Sequence, residues 1–177
     1  MRSTGGRWWL RQDSRELIIN ASRERLYDLV ADLTRMGQWS PECRHVEWTD
    51  GAVEPVEGAT FIGHNRGGPW NLMRWSRRGR VLAADRGRRF AFITEEGGRE
   101  STLWTYRFEP TSGGTRVIES YEVKWIPAWA RMVDVPTNRH RELRESMAHT
   151  LHQLKTSAEA APTDLPRPAD GATARLD

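Results

Sequence analysis

The sequence predicts an α+β domain in which a curved antiparallel sheet of about seven strands wraps on one long C-terminal helix, with two short helices after the first strand. Three observations predict it. Six successive β-prone segments are separated by Asp50-Gly51, Arg66-Gly67-Gly68-Pro69, Asp85-Arg86-Gly87, Glu96-Gly97-Gly98 and Ser112-Gly113-Gly114, all turn chemistry suited to hairpins. Beyond them, Leu143, Met147, Leu151 and Leu154 recur at helical spacing while Arg141, Glu142, Arg144, Glu145, His152 and Lys155 cover the other faces. Before them stand a short apolar segment and a capped amphipathic stretch.

Taken in order, Glu16-Leu17-Ile18-Ile19-Asn20 reads as the first strand, and Ser22 as the N-cap of a helix whose apolar face is Leu26, Leu29, Val30 and Leu33. Asp32 is placed to cap a second short helix that Gly37 ends, and Trp39-Ser40-Pro41 forces the chain out of helix. Strands are expected over 43–49, 60–66, 72–84, 89–94, 101–109 and 116–125, paired as a meander of neighbours. The folded domain spans 15–159. Residues 1–14 show neither period nor caps and read as a flexible arm, in which Trp8 and Trp9 are free to pack on the domain; 160–177, rich in Ala and Pro with Pro162, Pro166 and Pro168 close together, read as a disordered tail.

Composition narrows the function. A chain of 177 residues holds one domain with a sizeable core. Nine Trp in a sequence only 37% hydrophobic concentrate the apolar surface in a few large side chains, which suits thick cores and ligand cavities. The net charge is +3 and the Arg are spread along the chain among 24 acidic residues, so no nucleic-acid footprint is expected. Cys43 is alone, which excludes an internal disulfide and leaves no cysteine cluster for a metal; a reducing, cytoplasmic setting fits best. Neither a signal peptide nor a membrane-inserted segment is expected. His149 and His152 lie three apart on the last helix, with His140 upstream, but no acidic or cysteine ligand completes a set, so they read as surface residues and no metal or cofactor is expected. No nucleophile elbow, phosphate loop or dinucleotide fingerprint is present.

The element order and local sequence together resemble the START-like superfamily, and within it the SRPBCC branch of polyketide cyclase/dehydrase and lipid-transport proteins. The likeness is carried by the segment from Leu29 to Cys43, by Gly58-Ala59-Thr60-Phe61-Ile62-Gly63-His64-Asn65-Arg66, by Trp104-Thr105-Tyr106-Arg107-Phe108, by Gly114-Thr115-Arg116-Val117 and by the final helix from Met147 to Lys155. It covers about residues 15–159. The resemblance implies a helix-grip fold with a cavity between the concave sheet face and the long helix, used across the superfamily for lipids, sterols, polyketides and other apolar molecules. It transfers no catalytic motif residue by residue.

Strand alternation then sorts the faces. Phe61 aligns with Gly63 and Asn65; Met73 with Trp75; Phe90 with Phe92; Trp104 with Tyr106 and Phe108; Val117 with Glu119, Tyr121 and Val123. The expected ligand-binding set is Phe61, Asn65, Met73, Trp75, Phe90, Phe92, Trp104, Tyr106, Glu119 and Tyr121 on the sheet, with Met147 and Leu151 on the helix; each aromatic residue also reads as plain core. Asn65 and Glu119 are polar on an apolar face, and a buried polar group needs a partner or a purpose. Glu119 is either a desolvated acid or base, with Tyr106 or Tyr121 orienting an enol or carbonyl, or a structural group bonded to an Arg or to one of those tyrosines. Among Arg74, Arg77, Arg78 and Arg80, alternation turns Arg77 opposite to the other three, either bulged out or offering a cation at the cavity rim. Two functions follow: binding or transport of a hydrophobic small molecule, or a cofactor-free cyclase, aromatase or dehydratase working in the same pocket. The partner is that ligand, and the chain acts as monomer or homodimer.

Overall fold

A computed structural model describes residues 11–67, 72–128 and 139–160. Seven strands, β1 (Gln12–Ile19), β2 (Cys43–Thr49), β3 (Thr60–Gly67), β4 (Met73–Asp85), β5 (Arg89–Glu96), β6 (Arg99–Thr111) and β7 (Gly114–Val123), form one sheet in the order β1-β7-β6-β5-β4-β3-β2. Every neighbouring pair is antiparallel. Helix α1 (Arg23–Ala31) and a 3-10 helix (Leu33–Gln38) connect β1 to β2, and α2 (Arg139–Ala160) closes the described chain. This is the expected α+β helix-grip architecture. Of the expected flexible arm and tail, residues 1–10, with Trp8 and Trp9, and 161–177 lie outside the described residues, as does the Gly68-Pro69 half of one turn.

The meander follows from turn chemistry, and its curvature from local irregularity. Gly87, Gly97 and Gly98 turn the chain with positive φ. Register shifts between Cys43 and His45, between Val81 and Ala83, and between Thr94 and Glu95 insert extra residues, and such bulges bend a strand and increase its twist. The shift at Leu82 also lets Val81 and Ala84 both join the core.

Two boundaries differ from expectation. The first strand begins at Gln12, four residues before Glu16, and pairs with β7 from Gln12 opposite Glu122. Its inward residues here are Asp13 and Arg15, so the hydrophobic alternation that marks a strand starts only at Leu17. Gly37 does not end the 3-10 helix but lies within it, because β2 crosses so closely that a Cβ there would collide with the Arg44 carbonyl oxygen. Ser22 caps α1 as expected, its Oγ accepting from the Arg25 amide at 3.2 Å. Asp32 precedes the 3-10 helix without making a side-chain cap bond; its carboxylate accepts instead from the Thr34 hydroxyl.

The concave side has two ends. At one, Tyr27 of α1 packs edge-on to Phe90 and Phe108, and Leu26, Val30, Ile19, Val117, Leu151, Leu154 and Ala158 complete an apolar plug. At the other, beneath the N-terminal half of α2, the wall carries polar groups.

Candidate functional site

Register aligns the wall residues in rows across the strands. Phe90, Tyr106 and Glu119 are successive cross-strand neighbours, and Phe92, Trp104 and Tyr121 form the next row. Farther across, Phe61 faces Gly79 and Asn65 faces Trp75. Phe61 owes its position to that glycine: its ring lies where a Cβ on residue 79 would stand, and it meets Trp48 and Phe92 edge-on at 6.2 and 5.5 Å. Trp104 tilts against Tyr121 at 5.7 Å and is half-buried.

Glu119 is the chemical centre of this wall. It is 3% exposed, Tyr106 Oη donates to its Oε1 at 2.7 Å, and its Oε2 is buried with no hydrogen-bond partner. Burial pushes its pKa up to about 8, against the opposing pull of the Tyr106 bond, so the carboxyl holds its proton at neutral pH. Tyr106 is likewise driven well above the usual phenol value, by burial first and by Glu119 second. Of the bonding partners expected for Glu119, Tyr106 is the one present. It satisfies one carboxyl oxygen and leaves the other free to donate.

A second polar group joins the wall to α2. Tyr121 is 2% exposed, and its hydroxyl lies 2.9 Å from His140 Nδ1. The other ring nitrogen, Nε2, is 3.9 Å from Asp13 Oδ2, which also faces Arg144 Nε at 3.1 Å. Burial, with Asp13 adding to it, raises Tyr121 to about 12. At the start of α2, Arg139 clamps Glu42 with both guanidinium nitrogens, Nη2 to Oε2 at 2.8 Å, tying the helix to the β2 edge. That clamp bridges the helix to the opposite margin of the sheet from β1.

The remaining expected residues divide by place. Met147 and Leu151 are buried on α2. Trp75 is half-buried, and the Asn65 amide donates to the carbonyl of Gly63 on its own strand at 3.2 Å. Met73 shares their face and is 59% exposed at the start of β4, opposite Gly67. Arg77 does turn to the concave side and pairs with Glu96 at 3.1 Å, while Arg78 and Arg80 pair with Asp50 and Glu100 on the outer face. His149 and His152 keep to the flank of α2 away from the wall; His140 is not a surface residue, with 19% of its side chain exposed. Three further residues had no signal in the sequence. Tyr27 fills the closed end, Asp13 sets a buried carboxylate oxygen without a hydrogen-bond partner 3.9 Å from His140, and Trp39 is 2% exposed with its indole N–H lacking an acceptor.

A depression of about 450 Å³ lies along β1, β7 and β6 among Gln12, Ser14, Leu103, Thr105, Arg107, Ser120 and Glu122, and Asp13 and Tyr121 also line it. Its lining is mostly polar, and it shares Tyr121 with the aromatic wall. Among the described residues no group of three or more His, Cys, Asp or Glu is arranged to hold a metal, and no helix is long and apolar enough to cross a membrane.

Solved structures with the same fold share little sequence. The di-domain ARO/CYC StfQ from the steffimycin biosynthetic pathway matches with a TM-score of 0.68 at 12% identity, over 85% of this chain and 51% of that one, so the chain spans about half its length. TTHA0849 from Thermus thermophilus matches at 0.61 and 21%, over 86% and 99%. The polyketide cyc-like protein Cgl2372 from Corynebacterium glutamicum matches at 0.53 and 28%, over 84% and 94%. No curated protein matches the chain. The family model described as polyketide cyclase / dehydrase and lipid transport matches residues 14–159, and the chain belongs to that family.

Proposed function

We propose that this protein binds an apolar small molecule bearing at least one oxygen, held against the concave sheet face under the N-terminal half of α2. The observation that carries the reading is Glu119 Oε2: a carboxyl oxygen buried in an aromatic wall without a partner. An unpaired buried polar group costs about 1–3 kcal/mol, a cost that a ligand oxygen accepting its proton removes. Trp104, Tyr121, Phe92 and Phe61 supply apolar contact, and Tyr106 holds the carboxyl in place. The ligand class expected from this chemistry is a neutral polyketide-like or lipid-like molecule with keto or hydroxyl groups.

A second reading rests on the same residue. A carboxyl with its pKa raised to about 8 is matched to proton transfer near neutrality, so a cofactor-free cyclisation or dehydration of the bound molecule has its acid in Glu119, with Tyr106 positioning it. The two readings separate in one experiment. Native mass spectrometry of the freshly purified protein, against its denatured mass, is expected to show a bound small molecule. With that compound as probe, Trp104→Ala weakens binding about tenfold while the fold is kept; unchanged affinity removes this wall from the site. If Glu119→Gln abolishes turnover and leaves affinity nearly intact, the protein is an enzyme; if affinity falls without any turnover in the parent, Glu119 is an anchor.

A further inference from the structure

The proposed site contains a hydroxyl whose direction is set from outside the sheet. Tyr121 presents its ring to the wall beside Trp104, and its oxygen meets His140 Nδ1 at 2.9 Å. With the imidazole neutral, that contact admits one proton: either the phenol donates to Nδ1 or Nδ1–H donates to the phenol oxygen. The far side of the ring decides between them. Asp13 lies 3.9 Å from Nε2, and its carboxylate favours the tautomer carrying hydrogen on Nε2. Nδ1 is then a bare lone pair, and the Tyr121 hydroxyl, kept protonated by its burial, points at it. In this state the phenol oxygen offers only lone pairs to a ligand.

Protonation of His140 reverses the arrangement. Both ring nitrogens become donors, Nδ1–H points at the Tyr121 oxygen, and the phenol proton must turn away from the histidine. We propose that His140 is a positioning residue of the ligand site, which makes the Tyr121 hydroxyl an acceptor toward the ligand when neutral and a donor when protonated. The preference thereby shifts from ligand hydroxyls to ligand carbonyls as His140 gains a proton. This rests on the proposed placement of Tyr121 in the ligand wall.

Charged groups lie around the imidazole on the neighbouring elements. From β1, Asp13 faces the imidazole; from α2, Arg144 faces Asp13, and Arg139 is engaged by Glu42 and Glu142. From β7 come Tyr121 itself and, two residues along, Glu119, whose carboxyl stays neutral below its pKa of about 8.

Two measurements on the full chain decide it. Long-range proton–nitrogen spectra of the unliganded, isotope-labelled protein are expected to show neutral His140 with its proton on Nε2, and Tyr121→Phe, which removes the donor to Nδ1, is expected to admit the other tautomer. A proton on Nδ1 in the parent, or a tautomer ratio indifferent to Tyr121→Phe in a folded variant, overturns the inference. The second measurement uses two neutral probes of similar shape, 2-naphthol as donor and 2-acetylnaphthalene as acceptor. The affinity ratio of naphthol to acetylnaphthalene is expected to fall about fivefold between solutions in which the same spectra show His140 neutral and protonated, and to stay flat in Tyr121→Phe. A constant ratio in the parent, with both probes bound, overturns it. If neither probe binds at any pH, the ligand site fails, and the tautomer spectra still decide the His140–Tyr121 bond.

Discussion

The two ends of the concave face are built from the same strands and differ in what covers them. At the closed end, Phe108 and Val117 meet Tyr27 and Leu26 from α1 and Leu151 and Leu154 from α2, with no polar side chain among them except the Tyr27 hydroxyl. One row further along, Glu119 follows Val117 on β7 and Tyr106 precedes Phe108 on β6, and the wall acquires a neutral carboxyl, two phenols and a histidine. Both ends are deeply buried. The lesson is that burial alone does not mark a binding wall: the closed end spends its aromatic surface on packing, and the other end holds polar atoms that packing leaves unsatisfied.

The largest effect that tests this contrast lies at the closed end. Phe108→Ala removes a buried ring from the plug and is expected to cost about 3–5 kcal/mol in urea unfolding, with the ligand affinity of the folded fraction unchanged. A loss below about 1 kcal/mol would show that the plug is loose and the division into two ends false.

Glu119 gives the next effect, and its sign is fixed by linkage. The folded carboxyl releases its proton near 8, the unfolded one near the ordinary 4.5, so between those values the unfolded chain binds fewer protons. Stability therefore falls as pH rises through that window and levels above it, by an amount on the order of a few kcal/mol. Glu119→Gln, which cannot ionise, is expected to flatten the profile and to melt higher than the parent at pH above about 8. Melting temperatures across the window check this; an equal slope in both proteins would mean that Glu119 is solvated.

The smallest effect concerns the rim. Arg139 and Glu42 are about a quarter exposed and bonded through both carboxylate oxygens, so a double-mutant cycle with Arg139→Ala and Glu42→Ala is expected to give a coupling of about 1–2 kcal/mol. A coupling near zero would detach the clamp from the stability of this end.

Much of the fold was legible because its signals are local. Turn glycines, the Ser22 cap and the stripe from Leu143 to Leu154 act within a few residues, and they placed the strands and the helix nearly where they lie. The N-terminal half of β1 was illegible for a local reason too: Asp13 and Arg15 face inward, and polar residues at those positions hide a strand. Alternation also grouped Phe90 with Phe92, Trp104 with Tyr106 and Phe108, and Glu119 with Tyr121, since side chains two apart share a face wherever a strand is regular.

What the sequence by itself determined is therefore the order of elements, the antiparallel meander and the residues that share each face of a strand. Only the tertiary structure decided which of those residues meet. The bond from Tyr106 to Glu119 depends on register across a hairpin, and the contacts of His140 with Tyr121 and Asp13 and of Arg139 with Glu42 join segments far apart in the chain. Such contacts leave no periodic trace, because they arise when a sheet curves and a helix settles over it, and that geometry is set by the packing of the whole core rather than by any one stretch of it.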